Sequence, residues 1–153
     1  ALGGLDTSYH YLMDHHMWLR MAMEGDMIHL PEFLAQARFH EDAKNVAQAA
    51  NFGVEALRLV GWMRGNMYLR RLMGEEGFGN TVESAAHRFN ARYLLDAGKN
   101  REAFREYWTS FKLSPRTCLK EWHRWLFSLL AMFGFGFLRK IFYGAKRSRY
   151  QKA

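Results

Sequence analysis

The chain is poor in the residues that staple or bend small proteins: it has one cysteine and two prolines in 153 residues. A single cysteine excludes a disulfide framework and any all-cysteine zinc site, and it fits a reducing compartment. No stretch reaches the roughly 18 uncharged apolar residues that a spanning helix needs. The opening Ala1-Leu2-Gly3-Gly4 has no initiator methionine and no basic-then-apolar secretory pattern. The expectation is therefore a start inside a longer protein, in the cytoplasm or at the inner face of the membrane. Asp-x-Asp, the recognised Gly-rich phosphate loops and His-Glu-x-x-His are also missing. What is present excludes a disordered polymer, since 49% of the residues are hydrophobic and 16% aromatic. The length suits one compact domain, or a domain with a tail.

The net charge of +7 is unevenly placed. Residues 1–40 carry two basic and five acidic side chains, residues 41–80 five of each, and residues 81–116 seven basic and four acidic. Residues 117–153 carry eight basic and one acidic. The first three blocks cancel, so the last one holds the whole excess. Such a balance suggests nucleic acid or an anionic membrane as partner, through the tail alone.

Periodicity divides the chain further. Leu12 to Met23 puts Leu12, Leu19 and Met23 on one helical stripe, with Gly25 as stop. Met27-Ile28-His29-Leu30 is a strand candidate broken by Pro31, and Phe33 to Phe39 alternates as a second extended segment. From Asp42 to about Met73 the spacing is helical, interrupted by Gly53, Gly61 and Gly65. Gly74 to Asn80 is a loop, with Asn80 placed to cap the next helix. That helix should end at Asp96-Ala97-Gly98, and the following one before Ser114-Pro115, where Ser114 caps and Pro115 fills a first turn.

Over residues 84–113, Gly98, Ala103, Tyr107 and Pro115 fall at the spacings of a tetratricopeptide-like hairpin, although His87 and Ala91 replace its large aromatic and its glycine. A solenoid needs about three stacked repeats, and the chain has one. The hairpin is expected to pack on its own neighbours. The fold class is mainly α, with a short α/β portion at residues 1–40, a helical extension at 41–116 and an aromatic, basic end at 117–153.

The stretch richest in chemical groups is residues 3–40. It holds Gly3-Gly4-Leu5-Asp6, then Asp14 ahead of Met17-Trp18-Leu19-Arg20, then Pro31-Glu32, then Arg38-Phe39-His40. This ordered succession, about a quarter of the chain, resembles the closing part of the catalytic domain of family 2 glycosyltransferases, the inverting GT-A type. The resemblance implies a sugar transfer from a nucleotide-sugar donor to an acceptor hydroxyl, in surface-polysaccharide or glycolipid synthesis. It implies Asp14 as the catalytic base, since single-step displacement at the anomeric carbon needs one carboxylate by the acceptor hydroxyl. Helix N-capping is the plainer role for an aspartate there, stabilising by about 1 kcal/mol. Met13 and His16 stand where the family often has further acids, leaving Asp14 as the one acid at the site. Arg38 and His40 would hold the diphosphate, Arg38 through its planar fork, and His40 is also a candidate metal ligand. On a strand, positions 38 and 40 share a face. Trp18 is expected in the core, Arg20 on a carboxylate such as Asp6, and Asp6 in the turn. The family's nucleotide-binding strands and its Asp-x-Asp for Mg or Mn lie upstream of such a segment. This chain by itself is therefore expected not to turn over. A rival reading groups His10, Asp14, His15, His16 and His40 as a metal site, without a complete ligand spacing.

Fourteen uncharged residues, Trp125 to Leu138, separate Arg124 from Arg139. A run this short suits a buried helix or an in-plane membrane segment rather than a span. Trp122, Trp125, Arg139 and Lys140 are the candidate contacts with an anionic membrane surface. The alternative is packing on the hairpin with a solvated basic end. Nucleic acid is not expected, because no recognised RNA-binding motif accompanies the aromatics. A stand-alone helical adaptor, binding a protein or a membrane, is the second functional expectation.

Overall fold

Wherever the backbone of the described residues is regular it is helical, as the 3.6-residue spacing of most of the chain requires. The structure, a computed structural model, describes residues 2–35, 48–75 and 77–138. Helix α1 spans Met13–Glu24 and ends at Gly25. The strand expected at Met27–Leu30 does not form. Residues 26–35 are neither helix nor strand, and Met27, Ile28, Leu30, Phe33 and Leu34 are exposed. A strand gains its stability from a partner edge, and the described residues offer none. The rest of the second extended segment, to Phe39, lies outside the described residues.

The long helical run divides in two, α2 at Ala49–Gly65 and α3 at Met67–Met73. The division comes at Asn66, whose Oδ1 accepts the Tyr68 and Leu69 amides, each at 3.1 Å, and so starts a new helix. Helix α4, Phe78–Asp96, begins before Asn80, which therefore lies inside the first turn instead of capping it. Gly77, at φ +76°, makes that earlier start possible, and a Cβ on Gly79 would strike the Met73 carbonyl oxygen.

Helix α4 ends where expected. The Lys99 amide donates to Leu94 O at 2.9 Å and the Gly98 amide to Leu95 O at 3.1 Å, a Schellman closure with Gly98 at φ +79°. Helix α5 covers Asn100–Leu113. Ser114 then caps α6, Pro115–Cys118, with Pro115 in its first turn. A 3-10 turn at Leu119–Glu121 leads to α7, Trp122–Met132, and a second one covers Phe135–Leu138.

The main core joins α4, α5, α6 and α7 through Ala91, Leu95, Ala103, Tyr107, Cys118, Phe127 and Ala131. A smaller cluster of Val60, Met73 and Ala86 ties α2 and α3 to α4. Gly53 permits the α2–α4 crossing, since a Cβ there would come within 2.6 Å of the Asn90 Cα. Two charges of the basic end turn inward: Glu121 pairs with Arg88 at 3.0 Å, and Arg124 with Asp96 at 3.4 Å. The hairpin α4–α5 thus packs on its own neighbours, as expected.

Candidate active site

The segment before α1 is shaped by local chemistry. Gly3 and Gly4 take φ values of +67° and +80°, a turn that residues with a Cβ rarely adopt. Asp6 closes the next turn: its Oδ1 accepts the Ser8 amide at 2.9 Å and its carbonyl the Tyr9 amide at 3.2 Å. The hydrogen bonds from Ser8 hold the Asp6 carboxyl below its usual range. Asp6 therefore fixes the turn, as its position suggested.

Long-range contacts then fix the segment to α2. The Glu55 carboxylate, 8% exposed, accepts three consecutive amides: His10 at 2.7 Å, Tyr11 at 2.7 Å and Leu12 at 2.9 Å. These donors precede α1, whose N-cap Leu12 has no capping side chain. Burial acts to raise the Glu55 pKa, and the three amides outweigh it, holding the carboxyl below the ordinary glutamate range. Arg58 donates to Ser8 O and Ser8 Oγ, both at 2.8 Å, and lies 4.4 Å over the Tyr9 ring.

His16 enters this interface. Its ring stacks on Tyr9 at 4.7 Å and meets the edge of Trp62 at 4.5 Å. It is 3% exposed, and neither ring nitrogen has a hydrogen-bond partner among the described residues. Desolvation pushes its pKa down; Asp6 opposes that while Arg20 and Arg58 add to it.

Asp14 stands in the first turn of α1 with its side chain 55% exposed. Its Oδ1 takes the His15 amide at 2.8 Å and the His15 Nδ1 at 3.0 Å. Partial burial would raise its pKa, yet the His15 contacts outweigh it, so the group is a carboxylate at neutral pH. Arg20 does not reach Asp6; its Nη1 donates to the Gly4 carbonyl at 2.9 Å. Trp18 is not in the core. It is 50% exposed and lies 5.0 Å from the His15 ring, because the buried face of α1 is taken by His16. A shallow depression of about 280 Å³ lies elsewhere, between Gly98–Glu102 and Ala131–Met132, and touches none of these residues.

Arg38 and His40, the candidate diphosphate and metal ligands, lie outside the described residues. So do Arg139 and Lys140. Among the described residues no group of three or more His, Cys, Asp or Glu is placed to hold a metal. The rival cluster does not assemble there, since His16 faces Tyr9 and Trp62 while His15 faces Asp14. Of the two aromatic candidates at the other end, Trp122 is 59% exposed, whereas Trp125 is half-buried and stacked on Phe111 at 6.1 Å.

Glu55, Arg58 and the slot around His16 were not singled out from the sequence. The one signal was a lone acid at position 55 among Phe52, Ala56, Leu59 and Val60 on the buried side of a helix. No family model, curated protein or solved structure matches the chain.

Proposed function

We propose that the chain is the C-terminal part of an inverting family 2 glycosyltransferase. Residues 1–40 would close a GT-A α/β catalytic domain, and the helices from α2 onward, with their tetratricopeptide-like hairpin, would be an extension that supports it. The observation that carries the reading is the Arg20 bond to Gly4 O at 2.9 Å, which ties the Trp-Leu-Arg helix to the Gly-Gly turn. Two separate pieces of the motif are thereby one unit, with Asp14 on the same helix. The exposed Trp18, Ile28 and Phe33 fit a segment that the remainder of such a domain covers.

In this reading the Asp14 carboxylate removes the acceptor hydroxyl proton as that oxygen attacks the anomeric carbon. The bond to the diphosphate breaks on the opposite face, inverting the centre, and the nucleoside diphosphate departs, with Arg38 and His40 as the residues that would bind it. Both His15 contacts fall on Asp14 Oδ1, which keeps the carboxylate ionised and oriented. A Mg or Mn ion in the whole enzyme would neutralise the diphosphate, and no step above runs through it. Asp14→Asn in the full-length enzyme should lower turnover by about 10²–10⁴ while donor binding persists; unchanged turnover sinks the assignment.

A second reading, a stand-alone helical adaptor, is favoured by the exposure of Trp122 on α7 and of Phe133 directly after it. The coding sequence upstream of Ala1 separates the two. An in-frame strand ending in Asp-x-Asp decides for the enzyme, and a start codon directly before Ala1 decides for the adaptor.

A further inference from the structure

Helix α7 is apolar on both sides. Its inward face buries Phe127 and Ala131, and also Arg124 and Ser128, its one charged and one hydroxyl residue. The outward stripe runs through Trp122, Leu126, Leu129 and Phe133 at helical spacing. Trp122 is 59% and Phe133 69% exposed, and Leu126 and Leu129 are half-buried. Phe135 and Phe137 continue the surface beyond the helix. His123 is the exposed polar side chain of α7. A helix apolar all round needs a second apolar neighbour.

Charge selects that neighbour. No acidic residue follows Glu121, and six lysines and arginines lie between Arg139 and Lys152. A second copy of the chain would bring two such clusters together, which like-charge repulsion opposes. An anionic bilayer surface satisfies both features at once. Eleven helical residues are too few to span a bilayer, and among the described residues no helix is long and apolar enough to cross one. The helix would lie in the interfacial plane, with Trp122 at the water boundary.

We propose that the outer face of α7 and the turn after it form an in-plane docking surface for an anionic lipid bilayer, secured by the cationic end. Trp125, held in the ring series Phe104–Trp108–Phe111–Trp125, belongs to the support beneath the surface. The inference holds under either functional reading, and its test involves no sugar transfer.

The whole chain is mixed with vesicles of phosphatidylcholine, with and without about one third phosphatidylglycerol, and sedimented. Binding should favour the anionic vesicles by at least about tenfold and weaken in high salt. Trp122→Glu and Phe133→Glu should each lower partitioning by about tenfold or more with an unchanged far-UV helix signal. The double variant Arg139→Glu, Lys140→Glu leaves the apolar face intact and should weaken binding roughly fivefold or more per residue. Equal uptake by neutral vesicles, or no uptake by either, overturns the proposal. A dimer in light scattering that Phe133→Glu dissolves, without vesicle binding, assigns the face to self-association and also overturns it.

Discussion

Between α4 and α5 the joining side chains vanish from solvent: Ala91, Ala103, Tyr107, Ser84 and Ser110 all have 0% exposure. Between α2 and the segment around α1 the joint adds one carboxylate, one guanidinium and a stacked imidazole to the buried Tyr9 and Leu12, while Trp18 and Met21 remain in water. Both are long-range contacts, yet they depend on different variables. The first rests mainly on shape, so volume changes should break it, and the His87–Glu106 contact at 2.7 Å also spans it. The second depends in addition on ionisation and on amide donors, so a proton should loosen it while the helical body stays folded.

Three substitutions test that contrast. Tyr107→Ala removes a ring with 0% exposure and should cost about 4 kcal/mol of global stability in denaturant titration. A loss under about 1 kcal/mol would mean that close packing does not carry the body. Glu55→Ala strands three amides, and should cost about 3 kcal/mol, confined to the N-terminal joint. Hydrogen exchange would speed at residues 10–16 and stay unchanged in α4 and α5. Equal acceleration in both regions would erase the distinction. His16→Phe is the smallest change, within about 1 kcal/mol at neutral pH, because neither ring nitrogen has a partner to lose among the described residues.

Its effect lies in the pH dependence. The folded-state pKa of His16 is pushed below the ordinary 6.5, so the unfolded segment binds the proton more readily. That stability is present above 6.5 and is lost as pH falls through the lower folded value. The Glu55 carboxyl is likewise held below 4.5, so its contribution is present above 4.5 and fades as pH falls through its own depressed value. The unaltered chain should therefore loosen at the N-terminal joint in two stages. His16→Phe should abolish the upper stage and keep the lower one, and a persistent upper stage in the variant would assign it to another group.

The elements that were legible in the sequence are those fixed by local chemistry. Gly98 and the Ser114-Pro115 pair set their boundaries with bonds reaching only a few residues, so the turn between α4 and α5 and the start of α6 fall where expected. Asn66 was a capping signal inside a glycine-interrupted run, and there the helical period masked the break. The strand at Met27–Leu30 and the burial of Trp18 failed for the opposite reason. Both depend on a neighbour, and hydrophobicity alone does not supply one. In the candidate site, Asp14 lies in a helix first turn as the motif implied, and Asp6 sits in its turn. Glu55 acts from more than forty residues away, a relation that no local pattern encodes.

The two serines between α4 and α5 have a further consequence. Ser84 donates its hydroxyl to Ser110 O at 2.8 Å, and Ser110 returns one to Ser84 O at 2.9 Å. Apolar contacts tolerate sliding along a shared groove, but this reciprocal pair is satisfied at one longitudinal setting. A slip of one turn, about 5.4 Å, would break both bonds of the reciprocal pair. The pair acts as a vernier for the hairpin. A residue inserted near Gly98 should therefore bulge out of the turn, with both helices keeping their alignment.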